Sequence, residues 1–519
     1  MRWGEAVGVQ RAAAWTFAAL VAVALPLYFV LARGQWFFQD DWEFLANRDG
    51  GSFASLMRPH NEHWSTLPVI AYRLLWTVFG LHTYLPYQAL SIVTHLAAAV
   101  VLRVLMRRAG VHPWLATVAA GAFVLFGSGS QDIIWGFQVG YVAPIVLGGV
   151  QLILADHDDR IGSRDALGLV CGALALMCSG TAVTMVAVVG IAVLIRRGIV
   201  PAAVQAVPLA AMYLLWWVDY GREGAPHHAR PGLGRFVDFV TRGLRTLVES
   251  LTEYRLIAVL LVLVVIGGVV IAALDRPPDW RSRYAVPIAM AIGCVLFFSI
   301  TAIGRAAAST TDASKSRYID IGLALVLPAT AVALDALARR WHVLVVPLAA
   351  LLLIGVPANV GEVKVLTRPP FEGTKRDILT LAASDVIASA RPLFRPFTRS
   401  ERHISAQWLR DGAASGRIPE PAGGMTPAKE ANAYSIVALS PTKRRKRSPC
   451  VPLRTKVDRT LKPFDTIRFR RSIVVVTQQP GGVRSSSREL MGDGPSSVVG
   501  IRRPVHVTIS PTDHGSLCR

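Results

Sequence analysis

Charge is what this sequence has little of. Asp, Glu, Lys and Arg make up 17% of its 519 residues, where a soluble domain carries roughly 25%. Hydrophobic residues reach 52% and the mean hydropathy is +0.42. A soluble body this apolar lacks the polar surface to cover itself, so a set of soluble domains is excluded, as are disordered and collagen-like chains for most of the length. Cysteine is scarce too: five residues in all, too few for a disulfide-dense scaffold. No internal repeat and no Asp-x-Asp at 39–42 are present.

Long apolar runs are there instead. They cover roughly 12–32, 86–106, 114–128, 139–155, 166–179, 181–195, 201–218, 256–274, 284–303, 319–338 and 342–357, and the hydrocarbon they are expected to cross is ~30 Å thick. The stretch 66–80, with Pro68 and Arg73, reads as a helix lying at the interface. With the N-terminus cytoplasmic, the basic loops fall on one side: Arg107 and Arg108, Arg160 and Arg164, Arg196 and Arg197, Arg276, Arg281 and Arg283, Arg339 and Arg340. That is the positive-inside bias. The first run is longer than a signal-peptide core and reads as an uncleaved anchor. The expected fold is mostly α: a polytopic transmembrane helical bundle of about eleven spans, with a C-terminal extracytoplasmic tail holding a small β-rich module. The expected parts are 1–357 for the membrane domain, 358–440 for a linker with helical segments and 441–519 for the β-rich module.

Unusual polar residues collect on the face opposite the basic loops. Asp40 and Asp41 stand in QDDWEF among Trp36, Phe37, Phe38, Trp42 and Phe44. Adjacent carboxylates repel, which raises the pKa of one and suits a proton acceptor; an acidic helix cap is the structural alternative. His60, Glu62 and His63 in RPHNEHW suit acid/base work or a divalent metal, if 60 and 63 share a helix face. Interfacial histidines bonded to backbone are the plainer reading. Gln131, Asp132, Trp135 and Gln138 form a polar and aromatic patch of the kind that contacts sugars, or that anchors a helix at an interface. The loop 219–255 adds His227, His228 and several arginines. Arg305, Lys315 and Arg317, followed by Tyr318, put cations where the bias would least place them. They suit a phosphate, with headgroup snorkelling as the alternative.

Together these residues resemble a family. An acidic pair in the first outside loop, directly after the first span, resembles the GT-C superfamily of glycosyltransferases that use polyprenyl-phosphate sugars, among them protein O-mannosyltransferases and lipid A aminoarabinose transferases. The interfacial helix after that loop and the late SRY at 316–318 look like the bacterial members. The likeness covers roughly residues 10–357. It implies a polyprenyl-phosphate-linked sugar as donor and Asp40 or Asp41 as base or acceptor-positioning group. A divalent metal is possible, since some members of the family use one. Arg305 and Arg317 are candidates to stabilise the departing phosphate by position, with His60, Glu62, His63, Trp135, Gln138 and Tyr318 as further substrate contacts.

After residue 358 the chain is basic, with 28 Lys and Arg against 13 Asp and Glu. Residues 374–417 read as helical. KRRKR at 443–447 looks like a nucleic-acid motif, but in an outside tail it reads as a solvated loop or headgroup contact, and no nucleic-acid partner is expected. Short alternating runs from about 464 (DTIRFRR, SIVVVTQQ, PVHVTIS) predict strands. Cys450 and Cys518 bracket them and are free to bridge in an oxidising exterior; Cys171, Cys178 and Cys294 lie in spans as packing residues.

The expected function is therefore an integral glycosyltransferase of the plasma membrane, acting at its extracytoplasmic face. Its partners would be the lipid bilayer, a polyprenyl-phosphate-linked sugar and an envelope glycan, lipid or protein as acceptor. The alternatives are a transporter or flippase for a lipid-linked substrate, and a non-catalytic envelope assembly protein. The spans carry little interior charge, His95 being the mid-span exception, which weighs against a transporter. High Ala, Arg, Gly and Val usage suits a GC-rich bacterial genome.

Overall fold

The computed structural model describes residues 3–48, 51–224, 230–364, 371–397, 399–441, 450–470, 473–479, 485–490, 497–512 and 515–518. His227, His228 and KRRKR lie outside them. Helices are numbered in chain order: α1 Trp3–Leu31, α2 Asp41–Ala46, α3 Phe53–Met57, α4 Thr66–Phe79, α5 Leu85–Arg108, α6 Pro113–Val124, α7 Ser130–Ile134, α8 Val139–Ala155, α9 Ser163–Leu176, α10 Thr181–Arg197, α11 Ile199–Trp216 and α12 Arg222–Gly224. They continue with α13 Leu233–Thr252, α14 Arg255–Leu274, α15 Trp280–Arg305, α16 Ser316–Arg340, α17 Val345–Leu353, α18 Val356–Glu362, α19 Phe371–Ala382, α20 Asp385–Ala388, α21 Ala406–Ala414 and α22 Pro427–Ala438. The chain forms two compact units. The first holds 1–35, 50–71 and 85–366; the second holds 36–49, 72–84 and 367–519. The second thus takes in two segments from the early chain besides the tail.

In the first unit every apolar run of the sequence is helical. Among the described residues, eight helices are long and apolar enough to cross a membrane, and nine if the bent pair 113–124 and 127–134 counts as one span. This is a multi-pass membrane protein. The number is smaller than the run count because α9 and α10 have only 14 and 17 residues, and because α6 breaks by 43° before α7. Apolar side chains stand outward along the spans, Leu256 at 84% exposure being the extreme. Such a belt is stable only in hydrocarbon.

One long helix has no counterpart in the expected set. α13 lies in the polar loop 219–255, and its apolar residues recur at the helical period. Phe239, Gly243, Leu247 and Leu251 are buried, while Arg245 stands exposed on the other face. Gly243 permits the contact: a Cβ there would lie 2.3 Å from the Phe298 ring.

Among the described residues the second unit has nine strands: β1 Leu439–Pro441, β2 Cys450–Pro452, β3 Val457–Leu461, β4 Thr466–Phe469, β5 Ile473–Gln478, β6 Ser485–Leu490, β7 Ser497–Ile501, β8 Val505–Ile509 and β9 Gly515–Cys518. They form antiparallel sheets in the orders β1-β7-β4-β9-β2 and β3-β8-β5-β6. Strand alternation builds the core between them. Val505, Val507 and Ile509 of β8 turn inward and join Ile467 and Phe469 of β4 in one apolar cluster. Cys450 and Cys518 face each other in the β2–β9 pair and are bonded, S–S 2.07 Å, closing 68 residues.

α2 carries the acidic pair of the first loop. Asp41 is fully buried and its carboxylate is fully used. The Tyr72 hydroxyl donates to Oδ1 at 2.5 Å, and the Phe38 N–H and Tyr84 hydroxyl donate to Oδ2 at 3.0 and 3.4 Å. Two residues on, Glu43 accepts from Asn47 and Arg48 and lies 3.3 Å from His403. Trp408 of α21 donates its indole N–H to the Leu45 carbonyl and meets the rings of Trp42 and Trp76. Asp40 is half-buried at the N-terminus of α2 and makes no side-chain cap bond.

Candidate functional site

A cavity of the membrane unit, about 960 Å³, is bounded by α8, α9, α10, α11, α15, α16 and the loop before α4. Its walls are mostly apolar, with Leu176, Val186, Leu209 and Phe297 inside. Leu214, Ile300 and Ile303 also line it, and they are 59%, 43% and 60% exposed. The cavity therefore opens sideways onto the hydrocarbon belt. Its other end is polar, formed by Glu62, His63, Tyr141, Arg305 and Tyr318.

The loop that supplies Glu62 and His63 is not helical, which corrects the expectation that positions 60 and 63 share a helix face. Pro59 and a left-handed Asn61 (φ 51°) fold it into a tight turn closed by two 2.9 Å backbone bonds between His60 and His63. The imidazoles part as a result. His60 packs on the Phe137 ring and pairs with the Asn61 amide, while His63 points toward Gly180 and Tyr141. Among the described residues no group of three His, Cys, Asp or Glu is placed to hold a metal ion. The donor set around Glu62 does not fit one.

His63 is locked in one form. The Gly180 N–H donates to Nδ1 at 3.2 Å, so Nδ1 keeps its lone pair and the ring proton sits on Nε2, 3.0 Å from the Tyr141 hydroxyl. A second ring proton would meet the amide hydrogen head-on. Burial lowers the His63 pKa, Glu62 opposes that, and the Arg305 and Arg317 charges lower it further, leaving it below its ordinary value. A side chain at 180 would also displace the ring, since a Cβ there would lie 2.8 Å from Nδ1.

Glu62 has one oxygen engaged. Oε1 accepts from Arg305 and lies 3.7 Å from His63 Nε2. Oε2 is buried with no hydrogen-bond partner among the described residues. Burial would raise this carboxyl, but the charges of His63 and Arg305 and the hydrogen bonds outweigh it and hold Glu62 below the usual carboxylate range. Since His63 is neutral near pH 7, Arg305 is the partner that matters there. The Arg317 guanidinium lies over the rings of Tyr141 and Tyr318, at 5.9 and 5.2 Å, and its Nε has no hydrogen-bond partner among the described residues.

Glu62, His63, Arg305 and Tyr318 thus meet at one cavity end, with Arg317 stacked against it. His60, Trp135 and Gln138 do not line that cavity. Trp135 and Gln138 are buried, and neither amide atom of Gln138 has a hydrogen-bond partner among the described residues. No local pattern marks Tyr141 in the sequence, and Gly180 stands out there only as part of a Ser179-Gly180 break between two apolar runs.

A second polar group lies inside the bundle. Asp132 of α7, Asp320 of α16 and His95 of α5 are all fully buried. Asp320 lies 3.7 Å from His95 Nδ1, whose Nε2 reaches the Phe123 carbonyl at 3.1 Å. Neither carboxylate has a hydrogen-bond partner among the described residues.

No family model matches the chain, and no curated protein does. Among solved structures it is similar to an oligosaccharyltransferase of Archaeoglobus fulgidus in complex with zinc and sulfate (13% identity, TM-score 0.42, 70% of this chain and 55% of that one). It is also similar to ArnT of Cupriavidus metallidurans bound to undecaprenyl phosphate (13% identity, TM-score 0.46, 82% and 88%). The chain spans about half the length of that oligosaccharyltransferase.

Proposed function

We propose that this protein is a membrane glycosyltransferase that takes a sugar from a polyprenyl-phosphate donor and passes it to an envelope acceptor at the extracytoplasmic face. One observation carries the reading. The same cavity has apolar walls open to the hydrocarbon belt and a polar end with Arg305, Tyr141 and Tyr318, backed by Arg317. A prenyl chain matches the first and its phosphate the second. The acceptor hydroxyl attacks the anomeric carbon, and charge builds on the departing phosphate. Guanidiniums fixed beside that phosphate stabilise the transition state more than the ground state. The acidic pair, the sequence's candidate for the base, has a different support: the hydrogen bonds on Asp41 suit a scaffold role. In this reading the N-terminus is cytoplasmic, the tail extracytoplasmic, and the setting a bacterial plasma membrane.

The test is transfer of radiolabel from a panel of polyprenyl-phosphate sugars in membranes holding wild type, Arg305→Ala, Asp40→Asn or Asp41→Asn. Arg305→Ala is expected to lose on the order of 100-fold, and both Asp variants to keep activity wherever they fold. A folded Asp40→Asn or Asp41→Asn without activity would return the base to that pair.

The buried Asp132, Asp320 and His95 favour a second reading, a carrier or flippase, since ionisable groups inside a bundle mark transport paths. Uptake of an unaltered lipid-linked sugar into proteoliposomes, without glycosyl transfer, would establish it.

A further inference from the structure

We infer that Glu62 is the base of the transfer and that Arg305 masks it until a phosphate claims the guanidinium; this rests on the lipid-phosphate reading above. A base needs an unshared lone pair where the acceptor hydroxyl arrives. At the polar end of the cavity His63 has none to give: Nδ1 accepts from the Gly180 N–H, and Nε2 carries the proton facing Tyr141. Glu62 Oε2 is buried, lacks a hydrogen-bond partner among the described residues, and belongs to a residue lining the cavity. Its other oxygen is held by Arg305. So long as that pair lasts, Glu62 is a poor base, which agrees with its lowered pKa.

The charges explain the unmasking. The groups facing Glu62 are His63 on its own loop, Tyr141 on α8, Tyr213 on α11, Arg305 at the end of α15, and Arg317 and Tyr318 on α16. With His63 neutral, one carboxylate faces two guanidiniums, and Arg230 adds a third to the cavity lining, so the site keeps a net positive charge that attracts a phosphodiester monoanion. The incoming phosphate competes with Glu62 Oε1 for Arg305. Each guanidinium contact it takes raises the basicity of the carboxylate. In the step itself, the acceptor O–H proton passes to Glu62 Oε2 and the acceptor oxygen bonds to the anomeric carbon. The bond from that carbon to the phosphate oxygen breaks, and its electron pair stays on the phosphate, now held by Arg305.

The test uses the full chain in lipid nanodiscs, titrated with a polyprenyl monophosphate. Near neutral pH, Glu62→Gln is expected to bind it more tightly than wild type, on the order of five-fold, because the competitor for Arg305 is gone. That ratio should fall toward one as pH drops through the folded pKa of Glu62, where the wild-type carboxyl no longer competes. The phosphate's own second ionisation is common to both proteins and cancels in the ratio. With any donor that wild type consumes, Glu62→Gln should lose at least on the order of 100-fold in turnover. Tighter binding with lost turnover is a result that a merely structural ion pair does not give. Binding by Glu62→Gln that is unchanged or weaker, or turnover close to wild type, overturns the mask. Wild type that fails to bind polyprenyl phosphate overturns the lipid-phosphate reading itself. Should Glu62→Gln not fold, Arg305→Gln decides: wild-type affinity in that variant also overturns the mask.

Discussion

Carboxylates are treated in opposite ways by the two units of this protein. In the second unit Asp41 has donors on both oxygens, and Glu43 is bracketed by Asn47, Arg48 and His403. In the membrane unit Glu62 keeps one oxygen without a hydrogen bond, and Asp132 and Asp320 have none among the described residues. A buried polar atom left unpaired costs stability that a pair would recover. Fully paired acids hold structure, whereas acids kept unpaired at such a cost are where chemistry is expected. On the proposed reading the most acidic-looking motif of the sequence serves as scaffold, and the plainer Glu62 as reagent.

The comparison breaks most easily at Asp41. Asp41→Ala removes the buried acceptor shared by two tyrosine hydroxyls and an amide, and is expected to cost about 3–5 kcal/mol, read as a lower melting temperature in detergent. A stable Asp41→Ala that had lost transfer would reverse the roles of the two units. The second unit has another tie. Cys450→Ser opens the 68-residue loop closed in the β2–β9 pair and should destabilise the β module by about 4 kcal/mol. Equal resistance of the module to proteolysis with and without reductant would remove that tie from the account.

The membrane unit supplies the opposite sign. Asp320→Asn takes a buried acid without a hydrogen bond out of the bundle, so it should leave stability unchanged or raise it by about 1–2 kcal/mol. If it instead melted the bundle, Asp320 would have a partner equivalent to those of Asp41. If it folded but abolished uptake in proteoliposomes, the carrier reading would gain.

That the acid legible in the sequence differs from the acid of the proposal has a physical cause. Apolar length is a local property, so all eleven runs were legible as helices; what composition could not tell was that α9 stops at Leu176 and that α6 breaks after Val124. The period in Phe239, Gly243, Leu247 and Leu251 was present in the chain, but low hydropathy hid α13. The strands around Val505–Ile509 were legible because alternation is local too. Partnership is not. Glu62 and Arg305 lie 243 positions apart, and Gly180 acts on His63 through a backbone N–H that no side chain advertises. In RPHNEHW, Pro59 warned against a helix, and the left-handed Asn61 fits that warning.

The smallest effect tests the membrane unit by acid. Glu62 has a folded pKa below its ordinary value, so the stability it contributes is present above the unfolded carboxylate pKa of about 4.3 and is lost as pH falls through the folded one. His63 acts in the same direction. Its folded pKa is also lowered, so its contribution is whole above about 6.5 and declines as acid forces a proton onto a ring whose Nδ1 already accepts from Gly180. Glu62 and Arg305 are each about one quarter exposed, at 25% and 24%, so solvent screening keeps their pair within about 1 kcal/mol. Melting temperatures of wild type and Glu62→Gln, followed from neutral to acid pH, should therefore start apart by a few degrees at most and converge below the carboxylate range. A gap that stayed constant through that window would mean that the pair contributes by shape rather than by charge, and Arg305 would then have nothing to release when a phosphate arrives.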